Sequence, residues 1–239
     1  MTRSCDPLTG VCALPEDDAA NRDAVPARQL LVSYVGDPMC SWCWGMSPVI
    51  DQLAAWCETN GHQFRLVMGG LRAGGGDPWN AAFRNFLREE WTAIQSRTGQ
   101  PFGFDLLARP HFNYDTEPAC RAIVVARHMF DQDPSRRREL GFFAAVQEEF
   151  YVGGQDPSDP DFYRDICAGT GLDFASFSAA FAAPEARQAV IGDFRLTRSL
   201  GVRGFPSVVV EAAGQVHLVS AGYVTFPELE NRLRAVLFV

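Results

Sequence analysis

With 239 residues, 47% hydrophobic and 21% charged, the chain can bury one or two cores and is not a disordered polymer. Its net charge of −8 argues against nucleic acid or an anionic membrane surface as a partner. No apolar run approaches the ~18–20 residues of a membrane span, and Met1-Thr2-Arg3-Ser4-Cys5-Asp6-Pro7 lacks the apolar stretch of a secretory signal, so a cytoplasmic location is expected.

Residues 1–28 are rich in Asp, Pro and Ala, lack periodicity, and read as an N-terminal arm. The apolar run 30–35 reads as a strand that breaks at Gly36-Asp37-Pro38 and delivers Cys40 and Cys43 to the start of a helix. In that helix Met46, Val49, Ile50, Leu53, Trp56 and Cys57 recur at spacings of three and four and form one buried stripe. Stepping back along the stripe places Cys43 at its inner edge and Cys40 at the exposed tip. Pro48 removes one backbone donor and predicts a kink. A second strand over 64–68 completes a βαβ start, which ends in the breaker Ala73-Gly74-Gly75-Gly76-Asp77-Pro78. Helical patterns follow over 79–97, 118–130, 136–150, 160–170 and 174–181, and Pro184 opens another to about residue 200. Strands over 207–211 and 216–220, joined by a turn at 212–215, precede a last helix over 226–237. This order predicts an α/β thioredoxin-like fold formed by 29–76 and 184–239, with an inserted all-helical domain over 77–183.

Two cysteines at this spacing suit thiol–disulfide exchange. One thiolate needs donors that stabilise it, and the second sulfur must be near enough to resolve the mixed disulfide. A helix start supplies unpaired N–H groups and the positive end of the macrodipole. The order of exposure makes Cys40 the attacking thiol and Cys43 the resolving one. Ahead of the apolar run Val208-Val209-Val210, Gly204-Phe205-Pro206-Ser207 places a proline at the first position of a strand, where no ladder donor is lost. A cis Phe205–Pro206 bond is predicted there. It would hold the loop against the sulfurs and leave the Phe205 backbone free to pair with an extended substrate.

Asp37-Pro38-Met39-Cys40-Ser41-Trp42-Cys43-Trp44-Gly45, Gly204-Phe205-Pro206-Ser207 and Asp115-Thr116-Glu117-Pro118-Ala119-Cys120-Arg121 together resemble the DsbA-like thiol–disulfide oxidoreductases, in particular their cytoplasmic FrnE-type branch. The resemblance spans nearly the whole chain beyond the arm. It implies Cys40 as nucleophile, Cys43 as resolving thiol and Pro206 as cis-proline, with Ser41, Trp42 and Phe205 around them. Tyr114, Asp115 and Thr116 would face the groove. No bound cofactor is implied beyond the redox-active disulfide, with glutathione or another low-molecular-weight thiol as a candidate co-substrate. The partners expected are protein or small-molecule disulfides and dithiols. The arm segment from Cys5 to Cys12 also looks like a feature of this branch. Its Asp6-Pro7 and Thr9-Gly10 pairs favour a compact turn, and Cys5 with Cys12 is a candidate second redox pair.

Other readings are weaker. Zinc wants four ligands, yet no second C-x-x-C exists and His62, His111, His128 and His217 are scattered singly. Cys57, Cys120 and Cys167 lie on apolar helical faces and read as inert buried thiols. A glutathione-dependent transferase or isomerase of the kappa or chromene-carboxylate type needs no resolving cysteine, so retention of both Cys40 and Cys43 argues against it. A non-enzymatic adaptor has no positive sequence feature.

Overall fold

Val32, Tyr34 and Val35 are fully buried although their side chains alternate across the strand Leu31–Gly36 (β1), so β1 is covered on both faces. In the computed structural model, which describes residues 29–130 and 136–237, β1 lies inside a four-stranded sheet. It pairs in parallel with Gln63–Met68 (β2) and antiparallel with Ser207–Ala212 (β3), which pairs antiparallel with Gln215–Ala221 (β4). The parallel β1–β2 pair requires a crossover, and Ser41–Thr59 (α1) supplies it. The β3–β4 hairpin turns at Ala213 and Gly214, both at positive φ, the central residues of the predicted 212–215 turn.

Between β2 and the return to the sheet lie the helices Ala81–Thr98 (α2), Glu117–Met129 (α3), Arg137–Tyr151 (α4), Arg164–Thr170 (α5) and Phe174–Ala182 (α6). Pro184–Ser199 (α7) and Phe226–Leu237 (α8) complete the set. This is a thioredoxin-like fold with a helical insertion. The predicted 160–170 helix divides into a 3-10 turn at Pro160–Tyr163 and then α5, and a further 3-10 turn buries Leu106 and Leu107.

Helix α1 runs unbroken through Pro48. A proline cannot donate to the carbonyl four residues back, here that of Trp44. Gln100, just past the end of α2, donates its side-chain amide to that carbonyl at 3.1 Å, while the Trp44 indole donates to the Pro101 carbonyl at 2.8 Å. The gap left by Pro48 is therefore filled from the insertion, and this contact anchors α1.

Tyr34, Met46, Leu53 and Leu66 share one continuous core with Trp91, Phe142, Phe150 and Tyr163 of the insertion. On the other face of the sheet Val35, Val67, Leu200, Val202 and Val209 form a smaller cluster, against which Phe205 packs. A buried ionic knot joins the two regions. Arg127 of α3 contacts Glu139 of α4 at 2.6 Å and Asp193 of α7 at 2.9 Å, and donates to the β2 carbonyl of Leu66. Asp193 in turn accepts the Met68 N–H.

Candidate active site

The turn that leaves β1 is organised by a carboxylate. Asp37 is fully buried, and its oxygens accept the N–H groups of Met39 at 2.8 Å and Leu71 at 2.7 Å. The Cys120 thiol donates to the same carboxylate at 3.4 Å. Burial raises the Asp37 pKa, and these donors oppose the shift. The Asp37 carbonyl accepts the Cys40 N–H, and the Tyr114 hydroxyl donates to the Met39 carbonyl at 2.9 Å. Residues 37–40 are thus held from β1, from the exit of β2 and from the insertion.

Cys40 is the N-cap residue of α1, with an extended backbone and no side-chain capping bond. Its sulfur is therefore not spent on the helix, and its thiol donates to the Phe205 carbonyl at 3.7 Å. Cys43 lies beneath, with its N–H bonded to the Cys40 carbonyl at 2.9 Å. Both are free thiols. Cys40 is 6% exposed and Cys43 0%. The predicted order of exposure is present, but Cys40 is more withdrawn than a helical wheel implies, because the loop before β3 lies over it. Burial pushes the Cys43 thiol well above its ordinary pKa, and contact with Cys40 adds to the shift; the Asp37 N–H and the Tyr34 hydroxyl oppose it.

The Phe205–Pro206 peptide bond is cis. The Pro206 carbonyl accepts the Gly222 N–H at 2.7 Å, which ties this loop to the segment after β4. The Phe205 ring seats on Gly69 at the exit of β2, where a Cβ would fall 2.3 Å from ring carbons. Ser41 and Trp42 are half-buried at the start of α1, and the Trp42 ring lies 6.0 Å from that of Tyr223.

Cys40, Cys43, Ser41, Trp42, Phe205, Pro206 and Tyr114 therefore gather at one place. Asp115 and Thr116 hold the loop after β2. The Asp115 carboxylate accepts the N–H groups of Gly74 and Glu117, and the Thr116 hydroxyl accepts that of Arg72. Cys5 and Cys12 lie outside the described residues. Cys57 and Cys167 are buried, their thiols pushed up to about 12 and about 11 by loss of hydration. Cys120 is equally buried, yet its contact with Asp37 ties it to the site, which its apolar helical face did not predict. Tyr34, buried behind Cys43, was also not singled out by the sequence; the only signal was its position six residues before Cys40 on a strand covered on both faces.

No described helix is long and apolar enough to cross a membrane. Among solved structures, a Nitrosomonas europaea protein assigned as a disulfide isomerase is 30% identical with a TM-score of 0.76, covering 88% of this chain and 98% of its own. The cytosolic disulfide reductase DsbM from Pseudomonas aeruginosa is 27% identical with a TM-score of 0.68, covering 86% and 97%, and has also been solved with GSH. The ClpXP adapter protein SpxH from Shouchella clausii is 26% identical over 214 residues, or 87% of this chain; the chain spans 66% of that relative's length. The family description "DSBA-like thioredoxin domain" matches residues 32–234, and with the dithiol at the start of α1 in place, the chain belongs to that family.

Proposed function

We propose that the protein is a cytoplasmic thiol–disulfide oxidoreductase or isomerase in which Cys40 attacks a substrate disulfide and Cys43 resolves the product. One observation carries this reading: Cys40 stands at the helix start with its sulfur under the Phe205 carbonyl, and Cys43 lies sealed beneath it. The Cys40 thiolate attacks one sulfur of R–S–S–R′, forming Cys40–S–S–R and releasing R′–S⁻, which takes up a proton. Cys43 then loses its proton and attacks the Cys40 sulfur. The Cys40–Cys43 disulfide forms, and the R–S⁻ that leaves takes up the proton. Two substrate sulfurs are reduced and two enzyme thiols oxidised. Once Cys40 enters the mixed disulfide it no longer donates to Phe205. That carbonyl can then accept an N–H from an extended substrate, a mode that favours peptide backbone over particular side chains.

Glutathione is the co-substrate proposed to return the pair to the dithiol form. Its support is the likeness to DsbM, a cytosolic reductase solved with GSH. An insulin-reduction assay driven by reduced glutathione, run beside a glutathione-conjugation assay, tests the reading. Turnover of insulin that is lost in Cys40→Ser supports it. Conjugation that survives Cys43→Ser, without insulin reduction, would replace it with a glutathione transferase or isomerase.

A further inference from the structure

We propose that the Tyr34 hydroxyl is the hydrogen-bond donor that steadies the Cys43 sulfur as it attacks the Cys40 mixed disulfide. This rests on the dithiol reading above and adds a residue to its second step.

Tyr34 is fully buried on β1, and its hydroxyl has no hydrogen-bond partner in the resting dithiol. Buried phenols normally find a partner, because an unsatisfied hydroxyl costs on the order of 1–3 kcal/mol. The direction of the side chain follows from Gly36. Residues two apart on a strand share a face, and a Cβ on Gly36 would fall 2.9 Å from Cε1, Cζ and Oη of Tyr34. The ring therefore lies along β1 over Gly36, with its hydroxyl toward the 37–40 turn. Only a glycine at position 36 leaves that path open.

The titratable groups facing the hydroxyl are Cys43, Cys40 and Asp37. The Asp37 carboxylate is already occupied by the Met39 and Leu71 N–H groups and by the Cys120 thiol. The Cys40 thiol is turned to the Phe205 carbonyl. That leaves the Cys43 sulfur. Seen from Cys43, the facing groups are Cys40, Asp37 and Tyr34, and the two donors that favour its ionised form are the Asp37 N–H and the Tyr34 hydroxyl. A neutral thiol is a poor acceptor and a thiolate a strong one, so the hydroxyl makes no bond at rest and gains its acceptor when the Cys43 sulfur ionises. Burial holds Tyr34's own proton far more firmly than in water, so the phenol donates throughout and never serves as the base. The proton leaving Cys43 ends on the departing substrate thiolate.

Tyr34→Phe keeps the ring and its edge contact with Phe143 while removing the donor. The experiment is single-turnover reaction of the reduced full chain with 5,5′-dithiobis(2-nitrobenzoate) across a pH series. Attack by Cys40 releases one thionitrobenzoate, and resolution by Cys43 releases a second. In Tyr34→Phe the first phase is expected within about twofold of the unsubstituted protein. The second is expected roughly tenfold slower or more, with its pH midpoint raised by about one unit, the scale of one hydrogen bond to a charged group. A second phase of unchanged rate and midpoint overturns the assignment. Equal slowing of both phases also overturns it, since that would mean packing alone. If the unsubstituted protein gives no first phase, the dithiol reading falls and this inference with it; a normal first phase with an unaltered second sinks only the role of Tyr34.

Discussion

Cys40 and Cys43 are one helical turn apart, yet one donates to a loop carbonyl at the rim while the other is enclosed by β1 and the 37–40 turn. Their roles should therefore not interchange. Cys43→Ser, treated with oxidised glutathione, is expected to accumulate a mixed disulfide on Cys40; Cys40→Ser is expected to hold no adduct. Mass spectrometry of the intact protein reads both, and an adduct on Cys43 in Cys40→Ser would reverse the assignment. The spacing of the thiols and the strand-initial proline were legible because each is a local pattern with a chemical reason. The partners of Asp37 were not, since Leu71 and Cys120 reach its carboxylate from 34 and 83 residues away. Cys120 shows the limit plainly: periodicity reports that a side chain is buried, but not which polar group it meets.

The loop that carries Pro206 is set against the thiols by a close seat rather than by a ladder of hydrogen bonds. A methyl group on Gly69 would fall 2.3 Å from the Phe205 ring, so Gly69→Ala must move that ring or the β2 exit. Overpacking of this kind costs about 1–3 kcal/mol. Gly69→Ala is expected to lower stability by that amount in urea melts and to slow insulin reduction more than Cys40 alkylation. On the other flank, Asp115→Ala removes the acceptor of the Gly74 and Glu117 N–H groups. With each bond worth about 1 kcal/mol, a loss near 2 kcal/mol and faster proteolysis within 72–78 are expected, and unchanged cleavage would show that the loop is held by other means. Helices and strands were legible to within two residues at nearly every boundary, because their periodicity is local. The surroundings of Pro48 were not legible in the same way. Its missing donor is replaced by Gln100, which no pattern within α1 announces.

Across the whole molecule, Arg127 ties α3 to α4, α7 and β2, with Glu139 only 2% exposed at the side chain. Removing one partner of a buried pair leaves the others uncompensated, at about 3–5 kcal/mol. Arg127→Met is expected to lose that much in chemical denaturation, and a loss below about 1 kcal/mol would mean the knot is not a structural joint. Buried thiols make stability depend on alkaline pH. Cys57 is held neutral up to about 12, whereas an unfolded thiol ionises near 8.5. Between these values the folded chain keeps a proton that the unfolded chain has lost, so stability falls as pH rises. Each such thiol contributes a slope of about 1.4 kcal/mol per pH unit. Cys57→Ala should flatten the decline between pH 9 and 11 by that slope, whatever it costs at neutral pH; thermal melts across the series decide it.

The Cys40 sulfur meets a carbonyl 165 residues further along the chain, and β3, which carries that loop, is an inner strand of the sheet. During synthesis at ~5–20 residues per second, the thiols emerge roughly ten to thirty seconds before the segment that covers them. Through that interval the nascent chain carries two bare sulfurs with no groove to choose their partners. Cover for the thiols is thus acquired late, once the segment around Phe205 and Pro206 has been made, and a product truncated before it would keep the thiols without that cover.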